Sequence, residues 1–148
     1  SAPEEMQGYN CIMIYSPDKS RLLFCKRLKD PYEGKFNLVG GKIEPGEDHF
    51  DAAYRELFEE TGIRAAEDEL FFLGTETGRS TIGDCYIVRK NVDIKDIVFQ
   101  KGETCCARWV TLPDLDEMIE GDLIAPPVAA RLVKIRGRFE DYLYGRIG

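Results

Sequence analysis

Apolar and polar positions along this chain fall into short blocks whose period changes from two to 3.6 and back. Tyr9 to Ser16 is an apolar run, Pro17-Asp18-Lys19-Ser20 is a turn, and Arg21 to Arg27 is rich in Leu, Phe and Cys, so a β-hairpin is predicted. Residues 28–35, LKDPYEGK, form a polar loop that leads to a short strand, Phe36 to Val39. Leu70–Thr77 and Thr81–Lys90 are rich in β-formers and predict a second hairpin through Gly78-Arg79-Ser80. A mixed stretch carries the apolar run Ile97-Val98-Phe99 and leads to a further strand, Cys105 to Leu112. Pro113–Glu120 reads as a short helix. After Pro126-Pro127, apolar residues at 128, 132, 135, 139 and 143 predict a last helix, Val128 to Tyr144. Strands on both sides of a central helix give the class as α+β, arranged as an α/β/α sandwich with a mixed sheet.

The central helix is bounded by its own chemistry. Asp48 is a good N-cap with Asp51 three residues on, and Gly62 supplies a left-handed C-terminal residue, so the helix should run from about Asp48 to Thr61. Phe50, Ala53, Tyr54, Leu57 and Phe58 make an apolar stripe expected to pack on the body of the protein. Rotated away from it, Glu56, Glu59 and Glu60 fall within about one quadrant, because positions three and four apart are neighbours on a helix. Like charges at that spacing repel. A positive partner is therefore expected at this face.

Composition narrows the choices. A chain of 148 residues suits one domain, 9–148, behind an N-terminal tail, 1–8, and can bury roughly two-thirds of its unfolded surface. With 20 Lys and Arg against 27 Asp and Glu the net charge is −7, which disfavours nucleic acid polymers and anionic membranes as partners. No apolar run reaches the length of a membrane span and no signal-like segment opens the chain, so the reading is of a cytoplasmic protein. Five cysteines are an odd number without a Cys-x-x-Cys pair, and are expected to be reduced and buried. The single His49 is expected to face solvent in the first helical turn.

Gly41, five residues, Glu47, seven residues, Arg55-Glu56-Leu57, one residue, Glu59-Glu60, one residue, Gly62-Ile63 resembles the Nudix box at every defining position. The resemblance, MutT-like in kind, implies a box folded as loop, helix and loop. It also implies hydrolysis of a nucleoside diphosphate linked to another moiety. Mg²⁺, a hard cation that favours carboxylate oxygen and keeps several waters, is the implied cofactor, with Mn²⁺ able to replace it. By resemblance the metal ligands are Glu56, Glu60 and Glu59, with the Gly41 carbonyl and Glu103 as further donors. Arg55 is expected to hold a glutamate, and Glu47 is the partner the family suggests. Glu103 stands in a Gly-Glu loop six residues before Trp109, where some relatives place a metal-binding or basic glutamate.

Substrate choice rests on the loops around the box. Lys26, Arg27, Lys29 and Lys35 cluster near one loop; with Lys42, the pair Lys26 and Arg27 are the cations assigned to phosphate. Asn37 stands before Gly40-Gly41 with two residues between, where a branch acting on oxidised purine triphosphates places a base-reading asparagine. The expected activity is release of pyrophosphate from a nucleoside triphosphate. A nucleotide sugar, a dinucleoside polyphosphate and a pterin triphosphate stay open, as does a non-catalytic nucleotide-binding domain. Many relatives are dimers, so a homodimer is a further expectation.

Overall fold

In the computed structural model, which describes residues 6–148, the second predicted hairpin forms along its length and the first only at its turn. Strand β1 is Gln7–Tyr15 and β2 is Leu22–Arg27; β4 is Phe71–Thr77 and β5 is Thr81–Arg89. Between them lie β3, Phe36–Asn37, and helix α1, His49–Thr61. The chain finishes with β6, Thr104–Val110, then α2, Leu112–Glu120, and α3, Pro126–Leu143. Gln7 and Gly8 already pair with Thr81 and Ile82, so the strand reaches two residues into the expected tail; residues 1–5 lie outside those described.

The sheet is mixed, with strand order β3-β2-β1-β5-β4 and β6 on β2. β1 and β5 run parallel along their whole lengths, from Gln7↔Thr81 to Tyr15↔Arg89. The first hairpin opens at once: β1 and β2 share only the Tyr15↔Leu22 position. Into the gap comes the segment after β3, which bridges β1 at Ile12↔Val39 and Tyr9↔Lys42. This wedge carries Gly40 and Gly41 into the sheet, and the candidate site grows from it.

Alternation along β1 sends Cys11, Met13 and Tyr15 to one core and Ile12 and Ile14 to the other. The first core also takes Phe24, Leu73, Leu132, Ile135 and Phe139, and so lies under α2 and α3. The second takes Ala53, Leu57, Ile63, Tyr86 and Val88 under α1. One helical layer covers each face.

Helix α1 has the predicted ends. Asp48 accepts from the Asp51 N–H, and Gly62 adopts φ 76° while donating to the Phe58 carbonyl. Its buried face differs from the predicted stripe. Ala52, Ala53, Leu57 and Thr61 are buried, whereas Phe50 and Phe58 are 41% and 43% exposed. Two adjacent alanines let the helix backbone approach the sheet closely, and that contact leaves the phenylalanines at its margins. There Phe50 lies 5.1 Å from the Tyr86 ring and Phe58 carries the Arg64 guanidinium at 4.3 Å. The cysteines also divide: Cys11, Cys25 and Cys85 are buried as expected, but Cys105 and Cys106 are exposed.

Candidate active site

The site is built where the wedge meets α1. Gly40 takes φ 150° against β1, and a Cβ there would stand 2.1 Å from the Asn10 carbonyl oxygen, so only glycine fits. Asn10 clamps the next residue from both sides: its N–H donates to the Gly41 carbonyl at 2.9 Å and its Oδ1 accepts the Gly41 N–H at 3.1 Å. The Gly40 N–H in turn donates to Glu60 Oε2 at 2.7 Å. Gly41 lies against the Glu56 carboxylate, whose oxygens would come within 2.8 Å of any Cβ. Two glycines thereby bring Glu56 and Glu60 to one turn of backbone.

Arg55 organises the rest. Its Nε and Nη2 reach the two oxygens of Glu47 at 2.8 and 3.0 Å, Nη1 reaches Glu56 at 2.9 Å and Glu59 at 3.1 Å, and Nη2 also reaches the Lys42 carbonyl at 3.2 Å. A guanidinium carries five N–H donors, and these five contacts use them all. The arginine bond, aided by the Glu44 N–H, holds the Glu47 carboxyl down at about 2. Glu56 is raised by burial, which Arg55 opposes. Glu60 is pushed up to about 8, first by burial and then by the charges of Glu56 and Glu103; the Gly40 N–H and Arg27 pull the other way without overcoming it.

The donor set fits a hard divalent ion, because carboxylate and carbonyl oxygens suit Mg²⁺ or Mn²⁺. Glu56 and Glu60 are the residues placed to hold one. The Gly41 carbonyl is engaged by Asn10, while the Gly40 carbonyl accepts no hydrogen bond among the described residues. Among the described residues no three His, Cys, Asp or Glu side chains converge as a ready-made cage. Glu59 is more exposed, with 48% of its side chain in solvent. Glu103 pairs with Lys29 at 2.6 Å, and its charge still bears on Glu60.

The basic loop does not act as one cluster. Lys29 is taken by Glu103 and Lys35 by Asp122. Arg27 donates to the Pro31 carbonyl at 2.7 Å and faces a cleft of about 460 Å³, beside the Gly40-Gly41 turn. Arg27, Asn37, Tyr32, Val128 and Arg131 line that cleft; Lys26 and Lys42 lie outside its lining. Asn37 and Arg27 also border, with Cys25, Glu60 and Thr104, a cavity of about 20 Å³, room for one water. A more open hollow of about 530 Å³ beside Phe50, Tyr54 and Phe58 contains none of the box glutamates and is not where this chemistry gathers.

A profile of the NUDIX domain matches residues 6–132. The chain belongs to the NUDIX family. Among its relatives, an uncharacterised Nudix hydrolase of Listeria monocytogenes is 32% identical over 124 residues, covering 79% of this chain and 70% of that protein. A Bacillus subtilis protein with the provisional name 8-oxo-dGTP diphosphatase is 29% identical over 93 residues, 53% of this chain. The match spans 60% of that relative's length. A Deinococcus radiodurans structure shares the fold with a TM-score of 0.74 at 19% identity, covering 93% of this chain and 86% of the other.

Within the NUDIX frame, two features escaped sequence reasoning. Asn10 was hidden in an apolar run, although a lone amide inside a buried strand demands a partner. His49 has a side chain 57% exposed, yet its Nδ1 bonds the buried carboxylate of Asp84, which also accepts from Thr75 Oγ1 at 2.9 Å. The available signal was Asp84 itself, an acid in the middle of an apolar strand.

Proposed function

We propose that this NUDIX protein adds water across a phosphoanhydride of a nucleoside diphosphate-linked substrate in the cytoplasm, with Mg²⁺ as cofactor. The preferred substrate is a nucleoside triphosphate, an oxidised purine form included, and the products are the monophosphate and pyrophosphate. The observation that carries the reading is Glu60: a carboxyl held by the Gly40 N–H beside Glu56 and pushed up to about 8 by burial. The Bacillus relative's name supports the choice of triphosphate. Catalysis is then mostly positioning. Glu56 and Glu60 would hold the metal, and Arg55 fixes Glu56 and Glu59 while Glu47 fixes Arg55. Mg²⁺, when bound, would neutralise the diphosphate. A box carboxylate accepts the proton of the attacking water. Glu103, released from Lys29, adds a further carboxylate. The cleft takes the moiety beyond the phosphates, with Arg27 toward phosphate and Asn37 toward the base.

A nucleotide panel with Mg²⁺ tests this reading. Wild type should release pyrophosphate from at least one triphosphate, and Glu60→Gln should abolish release while keeping the far-UV spectrum of the fold. Absence of turnover across triphosphates, nucleotide sugars and dinucleoside polyphosphates, or full activity in Glu60→Gln, would sink it.

A further inference from the structure

On β6 two thiols meet that a regular strand would separate. Adjacent strand residues point to opposite faces of a sheet. The sulfurs of Cys105 and Cys106 nevertheless lie 2.6 Å apart. The ladder explains the meeting: Lys26 pairs with Cys106 and Arg27 with Thr104, which leaves Cys105 as the extra residue of a bulge. Both thiols are exposed, in contrast to the three buried cysteines. The bulge also adjoins the candidate active site. Glu103, just before it, binds Lys29 through its carboxylate and the Leu28 N–H through its carbonyl, and Thr104 borders the small cavity beside Glu60.

We propose that Cys105 and Cys106 form a dithiol modification site that reacts with a low-molecular-weight disulfide, closing to a Cys105–Cys106 disulfide that slows hydrolysis through the Glu103 loop. The effect on hydrolysis rests on the phosphohydrolase reading above; the thiol chemistry does not. Cys105, the exposed extra residue of the bulge, makes the first attack. Its thiolate displaces one thiolate from the small disulfide and forms a mixed disulfide. Cys106 then loses its proton and attacks the Cys105 sulfur, releasing the second small thiol. Two protein thiols lose two electrons and two protons in all, and the small disulfide gains them as two thiols. The sulfurs already lie within reach of one another. Because closure binds Cys105 to the paired position, it alters the bulge and with it the peptide of Glu103.

The full-length protein treated with oxidised glutathione provides the test, read by intact and peptide mass spectrometry under native conditions. Wild type should lose two hydrogens at residues 105–106 and regain them with dithiothreitol. Cys106→Ser should instead accumulate a glutathione adduct on Cys105. Hydrolysis by oxidised wild type should fall several-fold and recover on reduction, whereas the Cys105→Ser/Cys106→Ser double variant should keep the basal rate under both conditions. Stable glutathione adducts on wild type, no reaction at this pair, or a vicinal disulfide that leaves the rate unchanged each overturn the inference. A reduced protein that hydrolyses nothing defeats the functional reading and the proposed slowing, while the mass shift still decides the dithiol chemistry.

Discussion

At the scale of single residues, Glu60 sets the behaviour of the metal-free protein. Burial pushes the Glu60 carboxyl of the folded state up to about 8, well above the 4.5 of a free glutamate. Between those values the unfolded chain binds fewer protons, so the stability of metal-free protein falls as pH rises through the window. Calorimetry from pH 5 to 8.5 should show this decline, and saturating Mg²⁺ should remove most of it, since the cation favours the ionised form. Glu60→Gln removes the buried charge. Its metal-free form at pH 8.5 should melt about 2–8 °C above wild type, and its turnover should drop on the order of 100-fold or more. A variant that melts below wild type at that pH would contradict the assignment of burial as the cause. Arg55 offers a second test, because lysine replaces a five-donor fork with one mobile charge. Arg55→Lys should lower kcat by roughly 10–100-fold with little change in the fold, the cost of a disordered ligand support. Steady-state kinetics that match wild type would remove Arg55 from a positioning role.

At the scale of elements, α1 separates capping, packing and margin. Loss of the Asp48 cap in Asp48→Ala should cost about 1 kcal/mol. Leu57→Ala empties a wholly buried position and should cost about 2–5 kcal/mol, whereas Phe58→Ser at the exposed margin should cost about 0.5 kcal/mol. Urea unfolding that reversed this order would refute the observed rotation of the helix. The ends of α1 were legible because capping is local chemistry at Asp48 and Gly62. Its buried face was less so: helical period allows a stripe centred on the phenylalanines as readily as one centred on Ala52, Ala53 and Leu57, and only the sheet decides between them. The same limit hid the fate of Lys29 and Lys35, whose partners Glu103 and Asp122 lie far along the sequence. Cys105 and Cys106 lay in a run that reads as ordinary strand, and a bulge leaves no mark in composition.

At the scale of the whole molecule, the sandwich and its mixed sheet were legible because hydrophobic period and turn residues agree along most of the chain. The parallel β1–β5 pairing was not. It joins segments about 70 residues apart and is fixed only when both faces of the sheet are covered by helices. The net charge of −7 sits uneasily with the anionic substrate proposed above, and a bound divalent ion would relieve the conflict where Glu56 and Glu60 converge. Among the described residues no helix is long and apolar enough to cross a membrane.

The wedge of residues 38–42 ties function to cooperativity. A loop that merely covered the sheet could open alone, but this one supplies the hydrogen bonds that β1 would otherwise exchange with β2: Ile12 to Val39 and Asn10 to Gly41. Opening it would strip the central strand of partners. Amide exchange at Ile12, Asn10 and Gly41 should therefore be as slow as at the middle of β5, with no separate low-energy opening. Gly40→Ala, which drives a methyl into the Asn10 carbonyl, should cost about 3 kcal/mol or more and quicken exchange across β1 and the wedge together. Fast exchange confined to residues 38–42 in wild type would show the loop to be independent. If exchange is uniformly slow, the ligands keep their places for as long as the sheet itself endures.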